Sequence, residues 1–153
     1  MSELQVVVFS LNNQMCGADT SQVHEIIRYQ DVTRVPRLPK FVDGLISLRG
    51  RVVPVINLNK RFELGETEIT KKTKIVITLK NDNYVGFIVN DVYEIVRFSD
   101  NETELPPESI FSAGNVYIRS IGKKDNMLIS ILDLGKILNE SEIKRLKIKE
   151  KNG

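Results

Sequence analysis

His24 and Cys16 are the single histidine and the single cysteine among 153 residues, and each would need partners to act as nucleophile, base or metal ligand. His24-Glu25 opens the stretch HEIIR, whose fifth residue is Arg28 where a zinc-binding helix needs a second histidine. His24 therefore reads as a partly exposed turn residue, capable at most of a pH-sensitive contact. Cys16 lies in an apolar strand candidate, where cysteine behaves as a small buried hydrophobe, and one histidine is too few to activate it and do anything else. A lone cysteine also excludes an internal disulfide and a cysteine-pair zinc site, and it suits a reducing compartment. The glycines form neither a phosphate loop nor a dinucleotide fingerprint, and the carboxylates are scattered among lysines as solvated surface charge. These residues predict no catalysis, no metal and no cofactor.

Charge narrows the partners. The formal net charge is +2, but residues 140–153 hold five Lys/Arg and three Asp/Glu, which leaves 17 of each sign over residues 1–139. A nucleic-acid binder would show clustered cations interleaved with stacking aromatics, whereas aromatics make up 7% of this chain and tryptophan is absent. Nucleic acid is not expected. No stretch approaches the roughly 20 apolar residues of a membrane-spanning helix, and Met1–Gln5 has no targeting character, so a cytoplasmic protein without membrane insertion is expected.

Isoleucine and valine number 33 and alanine 2, which predicts a mostly β fold because β-branched side chains fit a pleated surface. Val6–Leu11, the turn Asn12-Asn13-Gln14 and Met15–Asp19 read as a hairpin, and 74–79, the turn 80–83 and 84–89 as another. The two belong to a repeat. Shifted by 69 residues, GADTSQVHEIIR (17–28) lies over GFIVNDVYEIVR (86–97); shifted by 76, PVINLNK (54–60) lies over SILDLGK (130–136). In the second pairing an Asn or Asp follows the strand and can cap a short helix. Two copies of one unit predict two small β-barrels, since closure removes exposed sheet edges. The polar stretch 63–72 gives the boundary, dividing the chain into residues 1–66, 67–140 and a charged tail, 141–153, whose apolar positions Ile143, Leu146 and Ile148 predict a short helix. Pro106-Pro107 and Gly114 predict an irregular segment over 99–115.

The densest signal is PKFVDGLISLRGRVVPVINLNKRF, 39–62. Asp43-Gly44 and Arg49-Gly50-Arg51 read as turns around the apolar run Leu45–Leu48, and Pro54 predicts that its strand, from Val52 to Leu58, borders an opening in the sheet.

This segment resembles the CheW family of bacterial chemotaxis adaptors, through Gly44, Leu48-Arg49-Gly50, Pro54-Val55 and Leu58. The likeness continues through VHEIIR (23–28), YVGFIVNDVYEIVRF (84–98) and MLISILDLGKIL (127–138), covering about residues 4–140. Ser47 departs from the asparagine common before Leu-Arg-Gly, although either side chain can hold a turn. The resemblance implies two tandem five-stranded OB-like barrels with some strand exchange. It also implies an adaptor bridging chemoreceptors to the histidine kinase CheA, within receptor arrays at the inner face of the membrane. The regulatory domain of CheA and CheV share this fold and are the alternative identities, with receiver or kinase domains added. A ligand-binding or enzymatic barrel using the inter-barrel cleft is the alternative of a different class.

The resemblance places receptor contacts at Val23, Gly44 and Arg49, and the repeat adds Val92 as the counterpart of Val23; Glu25 and Ile95 complete the expected receptor groove. One barrel end is expected against the similar barrel of the kinase through Ile75, Val85 and Gly86, with Pro107 and Glu108 extending the array. Arg49 is expected to offer its guanidinium to a partner, with core packing the competing role for Val23 and Val92.

Overall fold

The structure, a computed structural model, describes residues 3–112, 117–138 and 142. Strands β1 (Glu3–Leu11) and β2 (Gln14–Asp19) form the first hairpin, turning at Asn12-Asn13, and β3 (Glu25–Arg28) follows a 3₁₀ turn, Thr20–Gln22. Next come β4 (Val42–Leu48), β5 (Arg51–Asn57) and the short α1 (Leu58–Arg61). The second copy runs β6 (Lys74–Lys80), β7 (Asn83–Val89), β8 (Asp91–Ser99), the two-residue β9 (Thr103–Glu104), α2 (Glu108–Ser112), β10 (Ile118–Lys124) and β11 (Met127–Leu132), ending in a 3₁₀ turn, Leu134–Lys136. Of the expected C-terminal helix only Glu142, which is helical, falls among the described residues.

Two sheets form, in the orders β8-β1-β2-β11-β10-β9 and β3-β6-β7-β5-β4. Matching strands by their offsets shows a reciprocal exchange. Each sheet takes the first two strands from one copy of the unit and the last three from the other, so the sheets cross the chain-order division at residue 66. The registers repeat as well: β2 pairs with β11 in parallel at Gly17↔Ile131, and β7 pairs with β5 at Gly86↔Val55. A Cβ on Gly17 would lie 2.3 Å from Val6 Cγ1, and one on Gly86 2.8 Å from Ile75 Cγ2. Val6 and Ile75 are themselves 69 apart. Both closed barrels are thus built around the same missing side chain. The first sheet counts six strands where five were expected, because the chain leaving β8 runs on to β9, which pairs with β10. In the second sheet the chain leaving β3 closes the barrel with a single bridge, Thr33↔Leu45.

The strands bury both faces, which explains their continuous apolar runs. Along β6, Ile75 and Ile77 enter the core of the second barrel with Ile46, Val53, Val55 and Ile88, while the intervening Val76 faces a core shared between the barrels. That shared core joins Phe9, Leu11, Ile56, Phe87 and Leu132 from both sheets, and Val6, Val8, Phe98, Ile129 and Ile131 fill the first barrel. Each fully buried aliphatic or aromatic chain stabilises the fold by about 1.5–3 kcal/mol. The helical caps repeat too: Asn57 Oδ1 accepts from the Lys60 N–H at 3.2 Å and Asp133 Oδ1 from the Gly135 N–H at 3.0 Å.

Three local expectations need correction. Asp43-Gly44 is not a turn but part of β4, at a bulge where the register shifts between Val42 and Gly44. Strand β5 is interior, and Pro54 is tolerated because the parallel pairing with β7 begins one residue later, at Val55. The segment after Ser99 is not wholly irregular: Pro106-Pro107 immediately precede α2, where the N–H that proline lacks would have no helical partner. No helix among the described residues is long and apolar enough to cross a membrane.

Candidate functional site

The β4–β5 hairpin turns on Arg49 (φ 48°) and Gly50 (φ 79°), both left-handed, the geometry that matches the twist of the flanking strands. This aims the Arg49 guanidinium across the barrel seam at β3. There its two terminal nitrogens donate to both carboxylate oxygens of Glu25, at 2.5 and 2.7 Å. A forked donor on a planar acceptor fixes both orientations. The hydrogen bonds from Arg49 hold the Glu25 carboxyl below the usual glutamate range against a small opposing burial effect, helped by the charges of Arg49 and His24. Beside the pair, the His24 ring meets Tyr84 edge-on at 5.4 Å, and the Arg51 guanidinium lies 4.7 Å above the same tyrosine.

A lowered carboxyl pKa contributes stability that is present above the unfolded-state value and is lost as pH falls through the folded value. The Glu25–Arg49 pair therefore persists through neutral and mildly acidic pH. In a carboxyl-carbon NMR titration Glu25 should have a midpoint below the ordinary glutamate value of about 4.3, and Arg49→Gln should return it to that range. An unshifted Glu25 in the parent chain would mean that the pair does not form in solution.

Apart from the Glu25–Arg49 pair, the expected receptor residues divide into three kinds. Val23 and Val92 are half-buried and pack against the core between the barrels. Ile95 is a surface residue, 58% exposed, and the neighbouring Tyr93 is 52% exposed with its hydroxyl on Ser10 Oγ at 3.2 Å. Gly44 has no surface to offer. It is buried with φ 147°, and a Cβ there would sit 2.1 Å from the Thr33 carbonyl oxygen, so its task is to let the chain at Thr33 pass. Ile26 on β3 is exposed as well, as Tyr93 is on β8. Ile26 is the counterpart of Ile95 at the 69-residue offset. The ion pair itself is not duplicated: Glu94 corresponds to Glu25, but position 125, matching Arg49, is aspartate.

The expected kinase residues do not lie together on a surface. Ile75 is fully buried in the second barrel and Gly86 is buried against it, because both faces of β6 and β7 are covered; only Val85 is half-exposed. Pro107 and Glu108 are exposed at the start of α2. Cys16 is buried, which pushes its thiol up to about 12 and leaves essentially no thiolate. Among the described residues no three His, Cys, Asp or Glu side chains converge as a metal site.

Comparison with known proteins agrees with this architecture. The family described as CheW-like domain matches residues 5–142. The chemotaxis protein CheW of Bacillus subtilis is 36% identical over 136 residues, covering 89% of this chain and 87% of the relative. That of Thermotoga maritima is 31% identical, covering 94% and 93%. Among solved structures, the scaffolding protein TtCheW from Thermoanaerobacter tengcongensis superposes with a TM-score of 0.81 at 33% identity, over 93% of this chain and 92% of that one.

Proposed function

Because the chain belongs to the CheW-like family and is a chemotaxis adaptor, we propose that it couples chemoreceptors to the histidine kinase CheA by non-covalent binding alone. The observation that carries this reading is the pairing of an exposed apolar strand face, Tyr93 and Ile95 on β8, with half-buried Val23 and Val92 at the joint between the barrels. Apolar side chains beside a polar rim are what a partner helix or strand can cover. Glu25 and Arg49 supply that rim at the other barrel. The receptor tip docks on this face. The kinase contact is proposed at the barrel end where Val85 opens to solvent, without Ile75 and Gly86, and the array contact at Pro107 and Glu108. The work is done in the cytoplasm at the inner face of the membrane. With no chemistry of its own, the adaptor affects the kinase through different binding free energies for the signalling states of its partners.

Sedimenting receptor-containing membranes with CheA, with and without this chain, tests the reading. The chain should enter the pellet and raise CheA recovery, and Ile95→Glu should prevent both while changing folding stability by no more than about 0.5 kcal/mol, as for other exposed positions. CheA recovery that is the same with and without the chain would overturn the coupling role.

A further inference from the structure

The duplication gives the molecule two equivalent clefts at the joint between the barrels, and among the described residues only one of them is filled. In the filled cleft the chain running from α1 crosses the tip of the β1–β2 hairpin. The Asn12 side-chain amide donates to the Leu64 carbonyl oxygen at 2.8 Å, the Leu64 N–H donates to the Asn59 carbonyl at 2.7 Å, and Asn59 Nδ2 reaches Thr67 Oγ1 at 2.8 Å. The Leu64 side chain packs on the shared core. The Leu-Gly-Glu-Thr segment, 64–67, thus sits in the groove through one anchoring side chain, two hydrogen bonds of the Leu64 backbone and one of the Thr67 hydroxyl.

The second cleft is the same place in the other half, with a volume of about 550 Å³ and a floor of Val85, Phe87, Leu134 and Leu138. Asn81 stands at the tip of the β6–β7 hairpin, 69 residues from Asn12, with the same left-handed backbone (φ 52° and 48°). Among the described residues its side-chain amide has no hydrogen-bond partner. Two substitutions distinguish the clefts. Gly135 replaces Asn59, so the side-chain amide that holds Thr67 in the first cleft has no counterpart, and Lys80, which replaces Leu11, has no ion pair among the described residues. The corresponding stretch of this chain at the 76-residue offset has Glu140 in the place of Leu64, so it lacks the apolar anchor.

We propose that this open cleft is a peptide-docking site for a short segment of a partner protein carrying an apolar anchor followed by a small residue and a carboxylate. The anchor covers Phe87 and Leu134, a backbone carbonyl accepts from the Asn81 amide, and the carboxylate meets Lys80. The filled cleft is the template for each of these contacts except the last, which charge complementarity supplies.

The probe is a capped peptide of residues 63–68, ELGETE, titrated into the full chain while backbone amide shifts are followed. Saturable shifts at Lys80, Asn81, Phe87 and Leu134 are expected. Asn81→Gly, which keeps the left-handed turn, should weaken binding about fivefold, the equivalent of one hydrogen bond. Lys80→Glu should weaken it further, and a peptide with aspartate in the place of Leu64 should not bind. Shifts confined to Asn12, Asn59 and Thr67, or an affinity indifferent to Asn81→Gly, would overturn the proposal. So would binding that emerges only after residues 139–153 are removed, which would make the chain's own tail the occupant. The cleft shares Val85 with the proposed kinase contact and in that respect deepens that reading; the peptide site itself rests on the duplication, so a negative titration leaves the coupling role standing, and a negative sedimentation leaves the cleft standing.

Discussion

Replacing Gly44 by alanine is expected to cost about 4 kcal/mol of folding stability, the sum of backbone strain and overpacking at one position. The new methyl group would lie 2.1 Å from the Thr33 carbonyl oxygen and 2.8 Å from its carbon, backbone atoms that cannot turn aside as a side chain could. Thr33 is itself fixed, donating to and accepting from Leu45 at 2.8 Å in both directions. The φ of 147° adds a conformation that side chains disfavour. Gly50 provides the control. It has a φ of 79° but no atom within 4 Å of an added Cβ, so Gly50→Ala should cost only about 1 kcal/mol, the backbone part alone. Urea denaturation of both variants distinguishes the causes. A Gly44→Ala chain as stable as the parent but unable to bind receptor would return Gly44 to the contact surface.

The second large effect concerns Glu25 and Arg49. Either side chain changed to alanine should lower receptor affinity on the order of tenfold, as for an interface residue of consequence, and the double variant should lose no more than either single one. The reason is geometric: with both terminal guanidinium nitrogens on both carboxylate oxygens, neither group holds its position without the other. Groups acting as a unit give non-additive losses. Folding stability should barely move, because Arg49 is exposed and surface ion pairs contribute little. Losses that multiply in the double variant would instead mean two independent contacts. An unchanged affinity in both single variants would remove the pair from the receptor surface.

The residues most easily misjudged from the sequence were those in runs such as KIVITL (74–79). A strand buried on one face alternates, and the polar positions mark the surface; β6 is covered on both faces, so Ile75 and Val76 look alike although they enter different cores. A surface role for Ile75 could not be rejected from pattern alone. Gly44 illustrates the same gap in another form. Aspartate followed by glycine suggests a turn, yet here glycine is needed because the backbone of Thr33, eleven residues upstream, passes within contact distance.

What the residue order carried was the content of the unit and its repetition. The β-branched composition, the two offsets, the capping Asn57 and Asp133 and the left-handed Arg49-Gly50 turn are all local properties, set by side-chain shape, backbone freedom and short-range hydrogen bonding. The exchange of strands between the barrels is not local. Equivalent strands such as β3 and β8 have similar apolar faces and could satisfy either sheet, so pairing within a copy and pairing across copies read the same along the chain. The choice appears only once connections, registers and the shared core are satisfied together in three dimensions. The same holds for the Glu25–Arg49 pair: both residues stood out singly, but closure of the barrel through Thr33 and Leu45 draws together side chains 24 positions apart into one ion pair.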